Sequence, residues 1–150
     1  MHRQIYLLAG VLALVVLTAL RTWAHCEIPC GIYDDTLRAK LILEHSQTIE
    51  KSMKQIIQLG AEQPVNYNQL VRWISNKEEH AHKIQSIITQ YFMTQRIKPQ
   101  VEKYAEKLTT LHQMLIATMK CKQSVDVSHV MKLRALLETF EVLYFGKSPK

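Results

Sequence analysis

The sequence predicts an all-α fold, an antiparallel four-helix bundle. Three observations lead there. Only four Gly and four Pro interrupt 150 residues, and Leu, Ile, Lys, Glu and Gln, all good helix formers except Ile, dominate the rest. Apolar side chains recur at steps of three and four in four separate stretches. Short polar segments carrying Pro, Asn or Gly join those stretches, and helices of similar length on short connections pack side by side in alternating directions. No stretch alternates apolar and polar residues as a strand does, and no internal repeat is present. The Met and aromatic residues on the helix faces read as core.

The first helix is expected from about Asp35 to Leu59. Asp34 or Asp35 can cap it. Leu37, Leu41, His45, Thr48, Ile49, Ile56 and Ile57 follow its spacing, and Gly60 ends it. Pro64 and Asn66 mark a loop. The second helix runs from near Asn68 to about Gln95, with Leu70, Val71, Ile74, Ala81, Ile84, Ile87, Ile88 and Tyr91 on one face, and Pro99 breaks the pattern. The third spans about Gln100 to Cys121 and carries Val101, Tyr104, Leu108, Leu111, Leu115 and Met119. Asp126 or Ser128 can cap the fourth, which carries Val130, Leu133, Leu136, Leu137, Phe140 and Tyr144 and stops at Gly146. The bundle thus occupies 34–146, and 147–150 form a tail.

Composition sets outer limits. A chain of 150 residues makes one domain and buries a core without disulfide staples. The formal charge is +6; Arg3 and Arg21 fall in the first 24 residues and no acid does, so the remainder carries +4. These charges are spread along helical segments rather than gathered into basic runs with aromatics, which excludes a nucleic-acid footprint. A mild positive surface suits solubility and weakly attracts a small anion. The three cysteines, Cys26, Cys30 and Cys121, cannot all pair, so this is no disulfide scaffold. Cys121 reads as a small, partly buried thiol with no assigned role.

Residues 1–24 have the form of a signal peptide. Met1-His2-Arg3-Gln4 is a basic start, Ile5 to Leu20 is an apolar run of sixteen residues, and Thr22 and Ala24 are small residues three before and one before the cut. A membrane span needs ~20 apolar residues, so an uncleaved anchor is the secondary reading. The expectation is export to the periplasm or cell exterior, with contact to a membrane only through the uncleaved leader. The alternatives are a cytoplasmic protein freed of a propeptide, or a membrane-tethered form before cleavage.

Cleavage after Ala24 makes His25 the first residue and sets a free amine beside an imidazole and, one residue on, a thiol. The His25 amine, the Cys26 amide nitrogen and the Cys26 thiolate can then bind one metal through two five-membered rings. Cys30 returns a second thiolate through a small loop. Such a planar set of two nitrogens and two sulfurs suits Ni(II) or Cu(II), and the His25 imidazole can reach an axial position. Pro29 fixes its own φ and extends Ile28. Gly31 permits a sharp turn after the second sulfur. Tyr33 follows where a phenol can face the open side of the metal. Two other readings of 25–33 stand beside this one. A Cys26–Cys30 disulfide fits an oxidising compartment and would make the chain an exported helical binding protein. A zinc site has only His25 as a further nearby ligand and falls short of four. Elsewhere, Glu79-His80-Ala81-His82 holds a Glu-x-x-His step of the kind used in di-metal bundles, but the sequence offers no second copy, and it reads as a surface His cluster.

The run His25-Cys26-Glu27-Ile28-Pro29-Cys30-Gly31-Ile32-Tyr33 resembles the nickel-binding hook of nickel superoxide dismutases, with His25, Cys26, Pro29, Cys30, Gly31 and Tyr33 at the positions that define it. In that family the hook opens the mature protein after a leader is removed. The resemblance implies an antioxidant oxidoreductase, a superoxide dismutase with one nickel ion per chain that cycles between Ni(III) and Ni(II). It implies that His25 supplies amine and imidazole, Cys26 amide and thiolate, and Cys30 the second thiolate. Tyr33 would gate the substrate superoxide and order water, and Pro29 would shape the loop. It also implies a homohexamer of four-helix bundles and a leader-removing peptidase as partner. Glu44 is the first-helix carboxylate available to support the axial imidazole.

Overall fold

A computed structural model of the chain describes residues 34–146, together with Gln4 and Tyr6. The expected leader, hook and tail, at 1–24, 25–33 and 147–150, otherwise lie outside the described residues. Four α-helices build the described body: α1 (Asp35–Ala61), α2 (Tyr67–Ser86), α3 (Tyr104–Gln123) and α4 (Ser128–Phe145). A π-helix, π1 (Ile87–Arg96), continues α2 without a break. No strand occurs among the described residues. α1 packs on α2 and α4, and α3 packs on α2 and α4, so the helices form a closed ring of neighbours. With connections this short, consecutive helices run antiparallel, as the pattern predicts.

The core runs the length of the ring. Ile42, Ile49, Met53, Ile84, Ile88, Phe92, Leu111, Met114, Val130, Leu133 and Phe140 are fully buried. One end is aromatic. Phe92 meets Phe140 edge-on with centroids 4.9 Å apart and Tyr144 at 5.6 Å, and Phe140 stacks on Tyr144 at 5.3 Å. Offset and edge-on contacts of this kind add stability beyond the buried area.

Several boundaries differ from the periodicity. Asp34, not Asp35, caps α1, its Oδ1 accepting from the Leu37 amide at 2.9 Å. α1 runs through Gly60 to Ala61, where Glu62 turns extended. Its buried face is Ala39, Ile42, Ser46, Ile49 and Met53, whereas Leu37 and Ile57 are about half exposed. Asn66 caps α2 through its side chain. The third helix begins at Tyr104, later than expected, because Lys103 takes a left-handed φ of 56°. α4 has no side-chain cap; Asp126 Oδ1 instead accepts from the Ser128 amide in the loop before it. Gly146 ends α4 in the left-handed conformation, where glycine is the least strained choice.

Candidate functional site

Every sequence-predicted site residue, His25, Cys26, Cys30, Tyr33, Pro29 and Gly31, lies outside the described residues. The platform on which that segment ends is described. Asp35, two residues past Tyr33, sits in the first turn of α1, and its carboxylate ties together three elements, α1, π1 and α4. Its Oδ1 accepts from Arg96 Nε at 2.8 Å and from the Tyr91 hydroxyl, both on π1. Its Oδ2 accepts from the Tyr144 hydroxyl on α4 at 2.7 Å. Arg96 Nη2 donates to the Tyr91 oxygen at 2.8 Å, and its guanidinium lies 4.9 Å from the Tyr91 ring centroid, with Arg38 of α1 at 5.7 Å.

The π-helix makes this cluster. In an α-helix the neighbours of a residue stand three and four positions away. A π-helix bonds residue i to i+5, which brings Arg96 alongside Tyr91. Back-bonds from side chains reinforce the wider turn: Thr94 Oγ1 donates to the Thr89 carbonyl at 2.6 Å and Gln95 Nε2 to the Gln90 carbonyl at 2.9 Å. The Ile97 amide closes the last turn on the Phe92 carbonyl.

Charge fixes the protonation states here. Burial pushes the Asp35 carboxyl up, but the bonds from Tyr91 and Tyr144 and the Arg96 charge outweigh it, so its pKa falls below the ordinary value. Burial and the Asp35 carboxylate push the Tyr91 and Tyr144 phenols above theirs. The result is an ionised carboxylate holding two neutral phenols and a guanidinium, which ties the first turn of α1 to π1 and α4. The periodicity placed Tyr91 and Tyr144 as core residues and left Arg96 unremarked. The available signal was that a buried phenol needs a polar partner, and Asp35 was the acid left over once Asp34 capped the helix.

No group of three or more His, Cys, Asp or Glu side chains able to hold a metal exists among the described residues. Glu79 and His82 of the Glu-x-x-His step are both exposed; Glu79 pairs with Lys83 at 2.7 Å, and the intervening His80 turns to His45 of α1. Cys121 is fully buried, and burial pushes its thiol up to about 11. It is a packed thiol, as its isolation in the sequence suggests.

No curated protein matches the chain, and neither does any solved structure. Residues 20–148 match the family described as nickel-containing superoxide dismutase, a range that takes in the segment 25–33 and all four helices. That match covers most of the chain, and the helical body has the bundle architecture expected: the chain belongs to the nickel-containing superoxide dismutase family.

Proposed function

We propose that His25–Tyr33 is the nickel site of this enzyme and becomes competent when the leader is removed after Ala24. One observation carries the reading. The family binds nickel, the described body offers no cluster of three donors, and the matched range before Asp34 holds His25, Cys26 and Cys30 within six residues. The donor set fits nickel: an amine, an amide and two thiolates are strong donors in a tetragonal field. His25 supplies its amine and its imidazole, Cys26 its amide nitrogen and thiolate, and Cys30 the second thiolate. Bound there, one nickel per chain supplies the Ni(III)/Ni(II) couple by which two superoxide ions and two protons become dioxygen and hydrogen peroxide.

The chain's own residues do the rest. Pro29 and Gly31 shape the loop so that Cys30 returns to the same centre as Cys26. Tyr33 would stand beside the bound nickel, where its phenol would gate the approach of superoxide and order water for proton delivery. The +4 charge of the chain beyond the leader draws in an anion. The Asp35 hub fixes where the segment leaves the bundle. The functional form is a homohexamer, exported to the periplasm or exterior, with a peptidase removing residues 1–24.

Native mass spectrometry of the processed protein purified with nickel tests this. The expected species starts at His25 and carries one nickel per chain. Cys26→Ser and Cys30→Ser each abolish dismutation and nickel retention. A processed chain without nickel and two protons light would mean a Cys26–Cys30 disulfide and would end the reading.

A further inference from the structure

One pair of groups plays no part in the hook chemistry. His45 of α1 and His80 of α2 face each other with their Nδ1 atoms 3.1 Å apart. Both rings are half-buried. Two neutral histidines can share one hydrogen bond at that distance, one ring bearing the Nδ1 proton and the other accepting it. The ring geometry, however, is bent. A straight ring-to-ring hydrogen bond, the preferred form, would put the centroids about 5.4 Å apart at this nitrogen spacing. The observed separation is 4.9 Å, with the planes at 82°.

A shared ion reproduces the spacing. An ion ~2.1 Å from both nitrogens subtends about 95° at a nitrogen separation of 3.1 Å, close to a cis pair in a tetragonal or octahedral field. With each centroid about 1.15 Å behind its nitrogen on the line to the ion, the centroids would stand about 4.8 Å apart. We propose that His45 and His80 form a second divalent-metal site, a cis bis-imidazole chelate bridging α1 and α2, for an exchangeable late first-row ion of the Ni(II), Cu(II) or Zn(II) class. Imidazole suits these ions.

No third protein donor joins the pair among the described residues, so water fills the remaining positions and the ion exchanges. The charged groups whose fields reach the rings are Glu44 and Glu79, which favour a cation, and Lys83, which opposes it and is itself paired with Glu79. Burial first, then for His45 the His80 charge followed by Lys83, and for His80 Lys83, hold both rings below the ordinary histidine value. Both rings are therefore neutral at neutral pH, each can turn its one lone pair to Nδ1 by carrying its proton on Nε2, and affinity falls in acid as protons compete.

Zn(II) titrated by calorimetry into the Cys26→Ser/Cys30→Ser chain separates this site from the hook. The expected result is one Zn(II) per chain whose affinity drops at least about tenfold in both His45→Gln and His80→Gln and is unchanged in His82→Gln. Imidazole nitrogen resonances of His45 and His80, read in the same background with both rings intact, move on adding Zn(II), which needs no histidine variant to fold. Absence of heat and of resonance shifts overturns the proposal. Binding that survives His45→Gln and His80→Gln, or that is lost only in His82→Gln, does so too.

Discussion

Replacing Asp35 by Ala removes the acceptor for three side chains at once. The carboxylate takes hydrogen bonds from Arg96 at 2.8 Å, from Tyr144 at 2.7 Å and from Tyr91. Asp35 and Arg96 side chains are 29% and 25% exposed, so solvent screens the pair only in part. A hydrogen bond contributes about 1 kcal/mol net, and more when one partner is charged. Tyr91 and Arg96 keep each other after the change, which softens the loss. Three bonds less this compensation put the cost of Asp35→Ala at about 3 kcal/mol. In a body of this size that is a fall of about 10 °C in Tm. Circular dichroism during urea and thermal unfolding at pH 7 measures it. The sign with pH follows from the lowered Asp35 pKa. The contribution is complete above the ordinary value of 3.8 and is lost as pH falls through the folded-state value. The gap between wild type and variant should therefore narrow in strong acid, as the charge-dependent part of the contribution is lost. A double-mutant cycle of Asp35→Ala with Tyr144→Phe should show coupling of about 1 kcal/mol. A loss at pH 7 below about 0.5 kcal/mol, the range of an indifferent surface change, would refute the hub, as would a loss that persists unchanged at low pH.

Three further outcomes are expected. Lys77 is buried and donates from Nζ to the carbonyls of Cys121 and Lys122 at 2.8 and 2.5 Å, closing the C-terminal end of α3; Lys77→Met leaves those carbonyls unmet and should cost about 2 kcal/mol by urea unfolding. His45 and His80 have folded pKa values below 6.5, so without metal the unfolded chain binds more protons in the window just below that value. The urea midpoint of the apo chain should then fall as pH drops below about 6.5, and less so in His45→Gln. Cys121, with its thiol pushed up to about 11 and its side chain enclosed, should resist alkylation at pH 8 in the native chain and react once urea is added; a fast native reaction at Cys121 would contradict its burial.

What the sequence by itself determined is what depends on neighbours along the chain. Helices announce themselves because a residue and its third and fourth successors share a face, and the four runs from Asp35 to Phe145 obey that rule. The proposed hook rests on the same reason: His25, Cys26 and Cys30 are close enough in sequence for one loop to bring their donors together, with Pro29 and Gly31 in the same nine residues to shape it. Tertiary structure alone decided which side chains meet across larger gaps. Asp34 and Asp35 are equivalent as caps on paper, yet one caps α1 and the other joins residues 56, 61 and 109 positions away. Arg96 reaches Tyr91 because the backbone shifts to a π-helix at Ile87, and no periodic pattern marked that change. His80, one of a run that read as a surface cluster, meets His45 only because α1 and α2 pack in one register. Spacing records the turn of a helix; it holds no record of how one helix slides against another, and that register is set by the summed packing of the whole core.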